Sequence, residues 1–293
     1  MIDGALLLDK PLGLSSNAAL QRAKRLLGAR KAGHAGTLDP LASGLLLLLF
    51  GEATKFAGPL LDADKEYVAM LKLGERTATG DAEGEILERL PVNVDESKIE
   101  AVLRGFRGAI EQVPPMYSAL KQAGVPLYDL ARQGKTVERR TRTVQIYELR
   151  ALRLESPFLE LQVRCSKGTY IRTLAEDIGA ALRTVAHLAA LRRTGAGGFR
   201  IEDAVSLANL EEADEKSRHA ALLPLSALLT GLPRADLDAA SEARFRNGQA
   251  LAGPALEGLC GVYGQNGRVI GLGRSDSAGL LRPVRLTAAQ EAE

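Results

Sequence analysis

The chain has 293 residues, 46% hydrophobic and 25% charged, with a formal net charge of +2. That composition fits a soluble globular protein with a sizeable core, as one large domain plus a small one or as two medium ones, and net charge favours no partner class. Two distant cysteines, Cys165 and Cys260, exclude a disulfide framework or cysteine zinc site; with an acid at position 3 and no apolar run beyond Leu45–Phe50, they predict a cytoplasmic protein without secretory signal or membrane span.

Ala5–Leu8 reads as a short strand, followed by a turn at Lys10–Gly13. A helix is expected from Asn17 to about Leu27, with Ser15 or Ser16 as cap and Gly28 as stop. From Ser15 to Thr37 there are five basic residues (Arg22, Lys24, Arg25, Arg30, Lys31) and no acid. Gly33-His34-Ala35-Gly36-Thr37-Leu38-Asp39-Pro40 reads as a glycine-broken loop that presents one carboxylate, Asp39, to a ligand. A second, compatible reading makes Asp39 a helix N-cap and Pro40 the first helical residue. The run Gly44–Gly51 reads as a strand buried on both faces.

Lys65–Leu73 is another strand, Gly74–Gly84 a loop, and Asp95 caps a helix to about Arg104. Pro114-Pro115-Met116-Tyr117 opens a segment that is basic to Arg153, with eight cations against three acids and a short helix at Leu127–Gln133. Such a patch suits phosphates or is merely a solvated face. Val144–Leu154 and Phe158–Cys165 form a hairpin, Thr169–Arg183 an amphipathic helix, and His187–Arg193 and Phe199–Ile201 further strands. Glu211–Lys216 is expected to be a surface loop. After Gly231 the glycine-rich texture indicates a small β-rich module. Long antiparallel strands with irregularly placed helices indicate an α+β fold.

Four blocks together resemble the TruB-type pseudouridine synthases, which isomerise uridine 55 in the T loop of tRNA. They are Asp9-Lys10-Pro11-Leu12-Gly13 with Ser15-Ser16; Lys31 to Pro40 running on to Gly51-Glu52-Ala53-Thr54-Lys55; Pro114 to Lys121; and Gly168 to Gly179 with Leu191-Arg192-Arg193-Thr194. They follow the family's order and spacing over roughly residues 1–200. The resemblance implies a mixed, largely antiparallel pseudouridine-synthase sheet flanked by helices in a catalytic domain 1–230. It further implies an RNA-clamping insertion at about 116–143 and a PUA-like RNA-binding module at 231–293.

The reaction breaks the N1–C1′ bond, turns the uracil and rejoins it through C5, without redox change or net hydrolysis, so no cofactor or metal is expected. By resemblance Asp39 is the catalytic carboxylate, Arg172 its ion-pair partner through a bidentate contact, and Tyr67 the base-stacking residue whose hydroxyl helps proton transfer. His34, Leu191, Tyr170 and Lys121 fall at substrate-binding positions, and Lys10, Pro11, Gly33 and Gly36 support the catalytic loop. Taken as residues alone, Tyr67 and Leu191 read equally well as core side chains, His34 as a loop histidine and Arg172 as a surface arginine. The expected partner is the T loop and arm of tRNA, with no membrane, no obligatory protein partner and a monomeric state. The competing readings are a guide-RNA-dependent relative, a non-catalytic tRNA-binding or folding protein, and a metal-dependent hydrolase using His34 and Asp39.

Overall fold

The computed structural model describes residues 2–118, 120–122 and 124–288, without the side chains of Lys121, Arg132 and Asn266. In chain order the first part holds β1 (Gly4–Lys10), α1 (Ser16–Leu26), β2 (Ala32–Ala35), β3 (Ala42–Phe50), α2 (Ala57–Asp62) and β4 (Lys65–Leu73). There follow β5 (Glu75–Thr77), β6 (Ile86–Arg89), α3 (Glu96–Gly105), β7 (Gly108–Gln112), β8 (Lys121–Gln122), β9 (Val125–Pro126) and α4 (Leu127–Arg132). The hairpin β10 (Arg142–Glu155) and β11 (Phe158–Cys165) leads to α5 (Ile171–Ala181) and β12 (Ala186–Ala196). The remainder comprises β13 (Phe199–Arg200), β14 (Val205–Ser206), α6 (Leu207–Glu212), α7 (Glu215–Ala220), β15 (Arg234–Asp236), α8 (Ala239–Arg246), β16 (Leu251–Ala252), β17 (Gly258–Tyr263), β18 (Val269–Ser275) and β19 (Leu280–Leu286).

Two compact units divide the chain, 1–38 with 45–61 and 197–293, and 39–44 with 62–196. In the second unit the sheet runs from the first residues of β3 through β12, β4, β11 and β10 to β7. The β3–β12 contact is parallel and the later ones antiparallel. One face of β4 and β11 carries Ala69, Leu71, Leu161 and Val163, all buried, against Ile171, Leu174, Ala175 and Ile178 of α5. The period-2 pattern of the strands and the period-3.6 pattern of the helix converge on this core.

In the first unit β2 pairs antiparallel with β3, and Leu45–Phe50 are buried throughout, as a strand covered on both faces requires. The C-terminal residues form a five-stranded sheet, β15-β17-β18-β19-β16, over a core that includes Phe245, Cys260, Val262 and Ile270. Ser15 caps α1 by accepting from the Ala18 amide at 3.1 Å, and the helix ends ahead of Gly28 at φ +64°.

Three local expectations are corrected. Ala32–Ala35 is strand rather than loop, because it finds the apolar edge of β3. Residues 75–77 leave the expected loop and pair with β6. Glu211–Lys216 ends α6 and starts α7, whose Asp214 cap accepts from the Ser217 amide at 2.6 Å.

Candidate active site

Asp39 does not cap a helix. Its carbonyl accepts from the Ala42 amide at 3.0 Å, closing a β-turn with Pro40 in second position, from which β3 departs. Pro40 supplies the fixed φ that such a turn favours, and the turn leaves the Asp39 side chain half-exposed, at 47%. The preceding Leu38 is fixed at both backbone groups by buried Ser16: Leu38 donates to the Ser16 Oγ at 2.7 Å, and that hydroxyl donates to the Leu38 carbonyl at 2.9 Å.

Arg172 lies in the first turn of α5. Cations are disfavoured there by the helix dipole, so its place implies specific anions. Two are present. Nη2 lies 3.1 Å from Asp39 Oδ2, and Nη1 lies 3.3 Å from Asp81 Oδ2. Nη1 also donates to the Thr79 carbonyl at 3.3 Å, and Nη2 to the Tyr117 carbonyl at 2.7 Å. The expected bidentate pairing with Asp39 alone is thereby corrected, since the fork is divided between two carboxylates and two carbonyls. Among these partners Asp81 is the buried one; it accepts from Thr79 Oγ1 at 2.5 Å and the Glu83 amide at 3.1 Å. Its loop is held on β12 by Ala82 donating to the Leu188 carbonyl and Leu188 donating to the Gly80 carbonyl, both at 3.0 Å.

The start of α5 is itself anchored. Gln112, buried at the end of β7, accepts from the Tyr170 amide at 3.0 Å and donates to the Tyr170 carbonyl at 3.2 Å. The Tyr170 ring lies under the Arg142 guanidinium, 5.6 Å from its centroid.

Tyr67 of β4 pairs directly with Arg193 of β12, and Leu191 pairs with Ala69. Tyr67 and Leu191 are partly buried and pack against the core, so lining a site and filling a core are one arrangement here. Burial pushes the Tyr67 phenol up and nearby Asp39 adds to this, while the neighbouring Arg193 cation pulls it back. Burial likewise lowers the Arg193 guanidinium, opposed by Tyr67. Lys65, on the same face of β4, is lowered to about 8 by burial and by Arg193.

The remaining expected site residues belong to the other unit, apart from Lys121, whose side chain lies outside the described part. His34 is half-buried on β2 opposite Leu48, and Gly33 is opposite Leu49. Gly36 leaves β2 at φ +96°. Lys10, fully buried, donates from Nζ to the Pro11 carbonyl at 2.8 Å and the Leu14 carbonyl at 2.6 Å, bracing that turn.

Asp81 and Gln112 escaped assignment from the sequence, and Arg193 stood within a motif block without a role of its own. For Asp81 the available signal was Thr79-Gly80-Asp81, a carboxylate following a glycine that here adopts φ +73°. Among the described residues there is no cluster of three His, Cys, Asp or Glu side chains able to hold a metal ion, and no helix long and apolar enough to cross a membrane.

The arrangement presents one half-exposed carboxylate held by a buried arginine. It suits stabilising positive charge on a bound sugar or base. Sequence comparison agrees on the family. The models "TruB family pseudouridylate synthase (N terminal domain)", "tRNA pseudouridylate synthase B C-terminal domain" and "Pseudouridine synthase II TruB, C-terminal" match residues 24–171, 172–230 and 233–287. The chain is 56% identical to a protein of Burkholderia lata named tRNA pseudouridine synthase B, over 98% of this chain and 90% of that protein. It is 54% identical to a protein of that name from Dechloromonas aromatica, over 97% and 95%. Among solved structures, a chain of a Cbf5-Nop10-Gar1 complex matches with TM-score 0.75 and 28% identity, covering 98% of this chain and 84% of that one. A chain of an H/ACA RNP bound to a substrate RNA containing 2′-deoxyuridine matches with TM-score 0.74 and 25% identity, covering 98% and 86%. The chain, with its Asp39–Arg172–Asp81 cluster, belongs to the TruB family of pseudouridylate synthases.

Proposed function

We propose that this protein isomerises uridine 55 in the T loop of tRNA, with Asp39 as the essential carboxylate. The carrying observation is the division of Arg172 between Asp39 and Asp81, which keeps Asp39 paired while its side chain stays accessible to a ligand. The relatives named for tRNA support the substrate class. The target nucleotide is flipped out of the loop and stacks on Tyr67, an interaction worth about 1–3 kcal/mol. Arg172 holds Asp39 oriented as the N1–C1′ bond breaks. The uracil turns, the C5–C1′ bond forms, the C5 proton leaves and N1 gains one, so atoms balance without a co-reactant.

Leu191 and Tyr170 line the uracil pocket, and His34 and Lys121 contact the RNA. The basic segment 116–143 closes on the T loop, within a catalytic domain 1–230, and a PUA-like module at 231–293 contributes to tRNA binding. The enzyme acts as a monomer without an obligatory protein partner.

An unmodified tRNA transcript carrying tritium at uridine C5, incubated in EDTA, tests this. Wild type should release tritium from the T-loop position and Asp39→Asn should not. Equal release by both proteins would remove Asp39 from the mechanism. A second reading, dependence on a guide RNA, draws on the likeness to the Cbf5 and H/ACA chains; it would be favoured by release that appears only when guide RNA is added.

A further inference from the structure

Among the described residues Arg193 is the largest side chain buried almost completely, at 1% exposure. It stands on a strand gripped from both edges. On one, Leu191, Arg192 and Arg193 pair in parallel with Ala42, Ser43 and Gly44, just after the Asp39 turn. On the other, Arg193 pairs with Tyr67. A Cβ on Gly44 would lie 2.3 Å from the Arg193 carbonyl oxygen, so the two backbones approach as only glycine permits. Past Arg193 the register with β4 shifts, the kind of irregularity that re-aims a strand beside a site.

Directly paired residues share a sheet face, so Arg193 and Tyr67 leave the sheet together and their side chains are neighbours on it. The face they share is otherwise largely apolar, with Ala69, Leu71 and Val163. A buried cation is weak as a stabilising device, because an apolar side chain of similar size usually serves the fold as well or better. A guanidinium has donors only, so a hydrogen bond from it to this phenol has the oxygen accepting and leaves the hydroxyl proton to another acceptor.

We propose that Arg193 is a positioning residue for Tyr67, fixing the phenol as a hydrogen-bond donor toward the flipped-out nucleotide. This rests on the reading of Asp39 and Tyr67 as reaction-centre residues. Arg193 opposes the effects of burial and of Asp39 on the phenol, and so preserves its strength as a donor.

The test is a double-mutant cycle in single-turnover tritium release from the C5-labelled transcript, using wild type, Arg193→Met, Tyr67→Phe and the double variant, with RNA affinity measured alongside. Arg193→Met should slow the chemical step about tenfold or more, the scale of a charge-assisted hydrogen bond, at unchanged RNA affinity. In the Tyr67→Phe background it should add less than about twofold. Arg193→Lys, which still presents only donors, should recover most of the rate. Equal losses in both backgrounds, or a rate for Arg193→Met equal to wild type, would overturn the proposal. Should Arg193→Met not fold, Arg193→Lys against Arg193→Gln in the same cycle decides it, with a loss that persists without the Tyr67 hydroxyl counting against positioning. Release by Asp39→Asn would sink the functional reading itself. Release by wild type alone, with an additive cycle, would sink only the role of Arg193.

Discussion

Arg172 meets Asp81 at 3.3 Å with both side chains buried, 9% and 4% exposed, whereas its 3.1 Å contact to Asp39 reaches a carboxylate that is 47% exposed. One amino group of the fork is thus tied to the interior and the other extends to a half-exposed carboxylate. Asp81 is the buried anchor and Asp39 the accessible end. Thr79 Oγ1 and the Glu83 amide hold the anchor in turn.

Removing the anchor should therefore damage both fold and chemistry. Asp81→Ala leaves a buried guanidinium short of its counter-charge and should cost about 3–5 kcal/mol in urea unfolding. Asp81→Asn keeps acceptors for Thr79 and Glu83 and should lose less stability. Its single-turnover rate should still fall at least about tenfold, because a neutral amide cannot balance the charge of Arg172.

Arg172→Lys should fail to restore activity although charge is kept. The guanidinium reaches two carboxylates and two carbonyls from separate nitrogens, and a single ammonium cannot span that set. A loss of about a hundredfold in turnover with a circular dichroism spectrum like wild type is the expected result. Near-normal turnover would show that the shared fork is dispensable.

Much of this was legible beforehand, for identifiable reasons. The strands Lys65–Leu73 and Phe158–Cys165 and the helix at Ile171–Ala181 announce themselves by period, and burial of one face against another enforces it. Asp39 and Arg172 stood out through motif context, and the structure brings them together. The Asp39 turn was less legible: Asp-Pro opens helices and turns alike, and here the Ala42 amide returns to the Asp39 carbonyl. Asp81 and Arg193 were hidden more deeply. Asp81 acquires its meaning from Arg172 far along the chain, and Arg193 from a register that no local pattern encodes.

Gly44→Ala should test the close approach of β3 and β12. At φ +100°, with a Cβ 2.3 Å from one backbone oxygen and 2.8 Å from the Arg193 nitrogen, the new methyl must displace main chain. A loss on the order of 3–5 kcal/mol is expected by urea unfolding. A loss below about 1 kcal/mol would mean that the strands separate without penalty.

Lys65 gives stability a pH signature. Its folded value, near 8, lies below its ordinary value of 10.5, so between these limits the unfolded chain holds the proton that the folded chain has released. Stability from this group therefore rises with pH through that window, by at most about 1.4 kcal/mol per unit, and is flat below it, where both states are protonated. Wild type compared with Lys65→Met across pH 7 to 10.5 should show the difference moving in favour of wild type as pH increases. A difference independent of pH would place the lysine in an environment no harsher than water.

Gln112 links a distant strand to the helix turn that carries Arg172. Its amide satisfies both backbone groups of Tyr170, the residue before α5, and Arg172 follows within that first turn. Gln112→Ala removes both contacts at a buried position, at a cost of about 1–3 kcal/mol. If the pair does no more than stabilise the helix start, turnover by the folded fraction should match wild type. Since a misplacement of about 1 Å in a reacting group can slow an enzyme a hundredfold, the expected result is instead a fall in kcat with KM for tRNA nearly unchanged. Gln112→Glu separates the two amide functions: it keeps an acceptor for the Tyr170 amide and sets a carboxylate against the Tyr170 carbonyl. It should therefore restore little of the lost rate, and full recovery would assign the whole effect to the amide contact.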